Sequence, residues 1–85
     1  MHSVDLLEEA LRLADQAGFE IRQEWLPGAT GGLCRIGDRQ ILYANLSLTA
    51  EEQLEQVTAS LRNSERFVEP PNASPQLLRL LKSQA

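Results

Sequence analysis

Gly31-Gly32-Leu33-Cys34-Arg35-Ile36-Gly37-Asp38-Arg39-Gln40-Ile41-Leu42-Tyr43-Ala44-Asn45 reads as two strands joined by a tight turn. Gly37-Asp38 interrupts two runs of strand-forming residues. A two-residue hairpin loop with glycine first suits a type II′ turn, because that position needs a positive φ. The turn sets a register: Ile36 opposite Arg39, Arg35 opposite Gln40, Cys34 opposite Ile41, Leu33 opposite Leu42, Gly32 opposite Tyr43. Side chains alternate between the two faces of a strand. One face then carries Cys34, Ile36, Ile41 and Tyr43 and is the expected core face. The other carries Arg35 and Gln40, with Leu33 and Leu42 as an apolar pair among polar neighbours. On that assignment Cys34 is a buried, slow-reacting thiol.

Outward from the hairpin, residues 19–25 alternate as well. Phe19, Ile21 and Trp25 share one face; Glu20, Arg22 and Glu24 share the other. This is the pattern of a half-buried strand with a wet outer side, and it places Trp25 in the core. Pro27-Gly28-Ala29-Thr30-Gly31 is a connection between strands. It leads into a strand rather than a helix and lacks the Lys-Ser/Thr ending of a phosphate-binding loop.

Helices flank the strands. Ser3 is placed to cap a first helix to about Ala17, with Val4, Leu7, Leu11 and Ala14 on one face. Leu6, Ala10, Leu13 and Ala17 widen that stripe, and Gly18 is placed to stop it. Thr49-Ala50-Glu51-Glu52 has the form of a capping box. Its helix runs to about Asn63 with Ala50, Leu54, Val57 and Leu61 on the buried stripe. Arg66 to Val68 reads as a frayed turn or an extended piece. Ser74-Pro75 opens a short last helix, serine as cap and proline in the first turn. Leu77, Leu78, Leu80 and Leu81 make it apolar, and it is too short to stand alone in water.

The fold class expected is α+β: a three-stranded antiparallel sheet with two amphipathic helices on one face (α-β-β-β-α), plus a short C-terminal helix. Residues 1–69 form the domain, 70–73 a proline-rich linker and 74–85 the last helix. Leu33 and Leu42, together with Leu77, Leu78 and Leu81, then lack partners inside the domain. They are the expected interaction surface, with Trp25 as a further anchor, and sharing that helix between two copies in a homodimer is the favoured way to bury them.

Composition narrows the function. The chain has 85 residues and a formal net charge of −4. Its eight basic residues are scattered, which disfavours nucleic acid and anionic membranes as partners. No apolar run approaches the ~20 residues of a membrane span. The N-terminus lacks the basic start and apolar core of a signal peptide. A single cysteine allows no disulfide within the chain and fits a cytoplasmic setting. Asn45-Leu46-Ser47 and Asn72-Ala73-Ser74 match the glycosylation triplet, which is common by chance.

No catalytic constellation emerges. One cysteine and one histidine cannot supply the four ligands of a structural zinc site, and no EF-hand pattern is present. Glu20 and Glu24 stand about 13 Å apart along a strand, beyond the ~5–9.5 Å of glycoside-hydrolysing carboxylate pairs. Glu51 and Glu55 are explained as partners of the helix dipole. Leu77-Leu78-Arg79-Leu80-Leu81 matches an L-x-x-L-L groove-binding motif, and packing on its own domain or a twin is the preferred reading.

Two resemblances follow from these residues. Gly31 to Ile36, Ile41 to Asn45 and Thr49 to Leu54, within residues 19–61, resemble short bacterial proteins of αβββα plan, a likeness that implies no activity. The order of hairpin, Asn-containing link and acidic helix is similar to the start of the zinc-peptidase domain of phage-repressor-cleaving regulators. That family carries H-E-x-x-H on the helix. Here the helix reads Gln53-Leu54-Glu55-Gln56-Val57-Thr58-Ala59-Ser60-Leu61, so neither metal nor general base carries over. The expected function is a small bacterial, non-enzymatic domain without cofactor or metal, acting through protein contacts or self-association. The alternative is a non-catalytic relative of an enzyme scaffold, or a small-molecule-binding domain with a pocket near Trp25 and residues 27–32.

Overall fold

The structure, a computed structural model, describes residues 3–28, 32–64 and 73–82. Six elements follow in chain order: α1 (Ser3–Gln16), β1 (Glu20–Glu24), β2 (Gly32–Ile36), β3 (Arg39–Asn45), α2 (Ala50–Arg62) and α3 (Pro75–Lys82). The class is α+β.

The hairpin closes as its turn requires. Gly37 has φ +61° and Asp38 stays at negative φ, the signs a type II′ turn needs. The five pairs from Gly32–Tyr43 to Ile36–Arg39 are those the turn sets. On its other side β3 pairs with β1, and that pairing is parallel: Glu20 opposite Ile41, Ile21 opposite Leu42, Arg22 opposite Tyr43, Gln23 opposite Ala44, Glu24 opposite Asn45. The strand order is β1-β3-β2. The sheet is therefore mixed, which corrects the expectation of three antiparallel strands. β1 and β2, consecutive in the chain, therefore stand on opposite edges of the sheet, with β3 between them.

Insertion explains the composition of β3. A central strand loses water on both faces, and Ile41-Leu42-Tyr43-Ala44 is an unbroken apolar run. Ile41 is 2 % exposed, while Leu42 and Ala44 are fully buried. The register with β1 also decides which face is core. Ile21 lies opposite Leu42, not Ile41, so covering Ile21 covers Leu42. α1 and α2 pack on that face, where Leu42 joins Leu7, Leu13, Phe19, Leu54, Val57 and Leu61. The expected core face is thus the outer one. Cys34 is exposed rather than buried, and Ile36 is 52 % exposed. Trp25 does not follow Phe19 inward: β1 ends at Glu24, and Trp25 stands 67 % exposed beyond it.

Both long helices keep their expected bounds. Gly18, at φ +101°, ends α1 in the left-handed conformation that glycine tolerates. The capping box is complete: Thr49 Oγ1 accepts from Glu52 N at 3.1 Å, and Glu52 Oε1 accepts from Thr49 N at 2.9 Å. α3 folds back onto α1 and α2, burying Leu77 and Leu81 in the chain's own core. Two contacts fix the return. The Glu9 carboxylate accepts from Ser74 N and Ser74 Oγ, each at 2.8 Å, while Ser74 Oγ accepts from Leu77 N as the helix cap. Arg62 Nη1 donates to Leu80 O at 2.8 Å. Of the expected linker, residues 70–72 lie outside the described residues, as do 66–68; Ala73 is buried in the core.

The crossover is held by one side chain. Asn45 Oδ1 accepts from Leu26 N at 3.0 Å and Asn45 Nδ2 donates to Leu26 O at 2.8 Å. Oδ1 also accepts from Ser47 N at 2.9 Å and Ser47 Oγ at 2.7 Å. Asn45 is 1 % exposed and its amide nitrogen is engaged, so the Asn45-Leu46-Ser47 triplet presents no glycan acceptor in the folded chain. Replacing Asn45 with alanine strands the Leu26 backbone groups. It is expected to destabilise by about 2–3 kcal/mol, against about 1 kcal/mol for Thr49→Ala. Urea midpoints of the two variants check the order; equal losses would mean that Asn45 does not hold the crossover.

Candidate interaction surface

Alternation along the strands assigns the outer face of the sheet. It carries Glu20, Arg22 and Glu24 from β1, Arg39, Ile41 and Tyr43 from β3, and Cys34 and Ile36 from β2. Among the described residues, no helix packs on this side; α1 and α2 occupy the other.

The two halves of the face differ in chemistry. The β1–β3 half is a charge network. Arg39 grips Glu20 in a fork, with Nη2 at 2.7 Å from Oε1 and 2.9 Å from Oε2 and Nε at 3.1 Å from Oε1. Arg22 Nε adds a bond to Glu20 Oε2 at 3.2 Å, and Arg22 Nη1 lies 3.7 Å from Glu24 Oε2. The parallel pairing creates this network, because it sets Arg39 diagonally across from Glu20. Hydrogen bonds from Arg39, then from Arg22, hold the Glu20 carboxyl below its ordinary range, against the opposing effect of desolvation. These groups are solvated, so they order the surface more than they stabilise the fold.

The β2 half is apolar and open. Ile36 is 52 % exposed with the exposed Cys34 beside it, while Leu33, 38 % exposed on the same edge strand, opens onto the opposite, helix-bearing face. β2 is an edge strand whose only charge is Arg35, whereas the other edge, β1, carries Glu20, Arg22 and Glu24. Charged edges discourage further strand pairing, and apolar ones invite it. A second apolar patch sits at one end of the sheet. Leu46 N donates to Glu24 O at 2.8 Å, so Trp25 and Leu46 leave the sheet together, and both are exposed.

Of the six residues expected to form the interaction surface, Leu42, Leu77 and Leu81 are buried in the chain's own core and offer no surface. Leu78 is half-buried, packed against that core. Leu33 and Trp25 remain open to contact, at different places on the sheet. Ile36 and Cys34 belong to the open surface instead, and the exposed, lightly charged strand 32–36 was the signal for them.

Clefts occur elsewhere among the described residues. One, of about 340 Å³, is lined by Ser3, Glu51, Leu54, Glu55, Thr58, Arg62 and Leu80; another, of about 240 Å³, lies around Asp5, Glu9 and Ser74. The first holds two carboxylates one helical turn apart beside an arginine already bonded to Leu80 O. At the expected pocket, Trp25, Pro27 and Gly28 are exposed, and residues 29–31 lie outside the described residues. Among the described residues, no group of three or more His, Cys, Asp or Glu is placed to hold a metal, and no helix is long and apolar enough to cross a membrane. The chain matches no protein-family model, no curated protein and no solved structure.

The Glu20 network makes a titration prediction. A depressed carboxyl contributes stability above its ordinary pKa and loses that contribution as pH falls through the lowered value. Arg39→Gln is expected to raise the Glu20 midpoint in a carboxyl NMR titration and to weaken the stability loss on acidification. An unchanged midpoint would mean that Arg39 does not engage Glu20 in solution.

Proposed function

We propose that this chain is a small non-enzymatic module that works through protein contacts made along β2 and the outer face beside it. The observation that carries the reading is the exposed apolar edge, Leu33-Cys34-Arg35-Ile36, on a chain whose other strand edge is charged. Monomeric proteins shield such edges, and an unshielded one recruits another chain. Charge supports a protein partner over nucleic acid or an anionic membrane: the net charge is −4, and arginines 22 and 39 on the open face are already bonded to carboxylates. The helix that corresponds to the histidine-bearing helix of the zinc peptidases carries no histidine, which supports a role without catalysis. A lone exposed thiol suits a reducing compartment, so we place the protein in the cytoplasm, and the resemblance to short αβββα proteins suggests a bacterial origin.

A photo-reactive amino acid placed at position 36 tests this in the protein's native cells, with one at position 15 on the exposed end of α1 as the control. Crosslinked protein adducts are expected from position 36 only. No adduct at 36, or equal adducts at both positions, would contradict the reading.

A further inference from the structure

We propose that β2 pairs with the β2 of a second copy of this chain, antiparallel, about a two-fold axis through Cys34. The proposal rests on the contact reading above and names its partner.

The backbone makes β2 self-complementary. In a two-residue hairpin the pair flanking the turn exchanges both backbone hydrogen bonds, and bonded and non-bonded pairs alternate from there. Ile36–Arg39 flanks the turn, so Ile36, Cys34 and Gly32 aim their N–H and C=O groups at β3. The same groups of Leu33 and Arg35 point outward, away from the sheet. An antiparallel copy centred on Cys34 sets Leu33 opposite the partner's Arg35, and Arg35 opposite the partner's Leu33. All four outward groups on each strand are then satisfied within two reciprocal pairs. Shifting the register by two residues in either direction leaves one of the outward residues without a mate inside β2.

Side chains agree with that register. On the outer face Ile36 falls opposite the partner's Gly32, which has no side chain to obstruct it, and beside the partner's Cys34. Ile36 and Cys34 of both copies then form one apolar strip. On the inner face Leu33 lies against the aliphatic stem of the partner's Arg35. The helix layer can follow. α2 lies over β3 and β2, and a Cβ placed on Gly32 would lie 3.8 Å from Gln56 Oε1 and 3.9 Å from Ser60 Oγ, so this flank of α2 reaches the edge strand. With strands about 4.8 Å apart, a helix over β3 and β2 has its two-fold mate roughly 10 Å away, the spacing of packed helices. That flank, Gln56, Ala59, Ser60 and Asn63, carries no charge, and Arg62 is turned aside to Leu80 O. Neutral surface therefore meets neutral surface, while the carboxylates of β1 stay on the far edge of the resulting six-stranded sheet.

The register predicts a covalent signature. Facing residues of a non-bonded antiparallel pair have Cα atoms about 4.5 Å apart, within the ~4.4–6.8 Å that a disulfide spans. The full chain at tens of micromolar is expected to sediment at twice its monomer mass. Diamide, which takes two electrons and two protons from a pair of thiols, is expected to join its single cysteines into a reducible dimer at a rate independent of protein concentration. Arg35→Pro removes one outward N–H and leaves the β2–β3 ladder intact. It is expected to sediment as a monomer with an unchanged circular dichroism spectrum. A wild-type monomer at these concentrations, or a dimer that diamide cannot link, would overturn the proposal, and the wild-type readouts stand even if the proline variant fails to fold. A monomer that still crosslinks through position 36 in cells would overturn the dimer and leave the contact reading in place.

Discussion

The fold depends on a single side-chain amide reading the backbone of a single residue. Asn45 offers Leu26 one acceptor and one donor, as a neighbouring strand would. It does so where the ladder between β1 and β3 runs out and the chain must leave one edge of the sheet for the other. Without such a clamp, the Leu26 N–H and C=O, just past the end of β1, would have no strand to receive them. Leaving such groups unpaired costs about 1–3 kcal/mol each, a large fraction of the margin of a domain this size. The same carboxamide oxygen holds Ser47, so the turn into α2 starts from the point that fixes the crossover.

From that clamp the remaining layers follow. A fixed crossover makes β3 central, and a central β3 places Leu42 and Ala44 beneath α1 and α2. It also pairs Glu20 with Arg39 on the outside, where Ile41 is buried without a helix above it. The two long helices, once seated, form the surface that α3 needs. Leu77 and Leu81 supply the burial, while Glu9 and Arg62 fix its position through the Ser74 cap and the Leu80 carbonyl. All three described helices therefore lie on one side of the sheet, and the edge least protected by charge is left open.

Local chemistry was legible in the sequence. The turn glycine, the capping box, the stop at Gly18 and the Ser74-Pro75 start each act within a few residues, and each appears where its spacing puts it. The order of strands was not, because hydrophobic alternation reports the faces of a strand and not its neighbours. Consecutive strands usually lie side by side, and that habit led to an antiparallel meander and to Cys34 and Trp25 as core residues. Two features held the correction. Ile41-Leu42-Tyr43-Ala44 is apolar at both parities, the mark of a strand covered on both faces. The Leu33–Leu42 pair, which looked stranded on a polar face, marked the core face itself. The bonds from Glu9 to Ser74 and from Asn45 to Leu26 carried no local signal, since those partners lie far along the chain.

The arrangement of the sheet is tested most directly by nuclear Overhauser contacts in the folded protein. Backbone contacts are expected between β1 and β3 in the parallel pattern, with Ile21 beside Leu42 and Gln23 beside Ala44, together with contacts from the Asn45 side-chain amide to Leu26. Contacts between β1 and β2, with none from β1 to β3, would contradict the crossover and the inner position of Leu42 that depends on it.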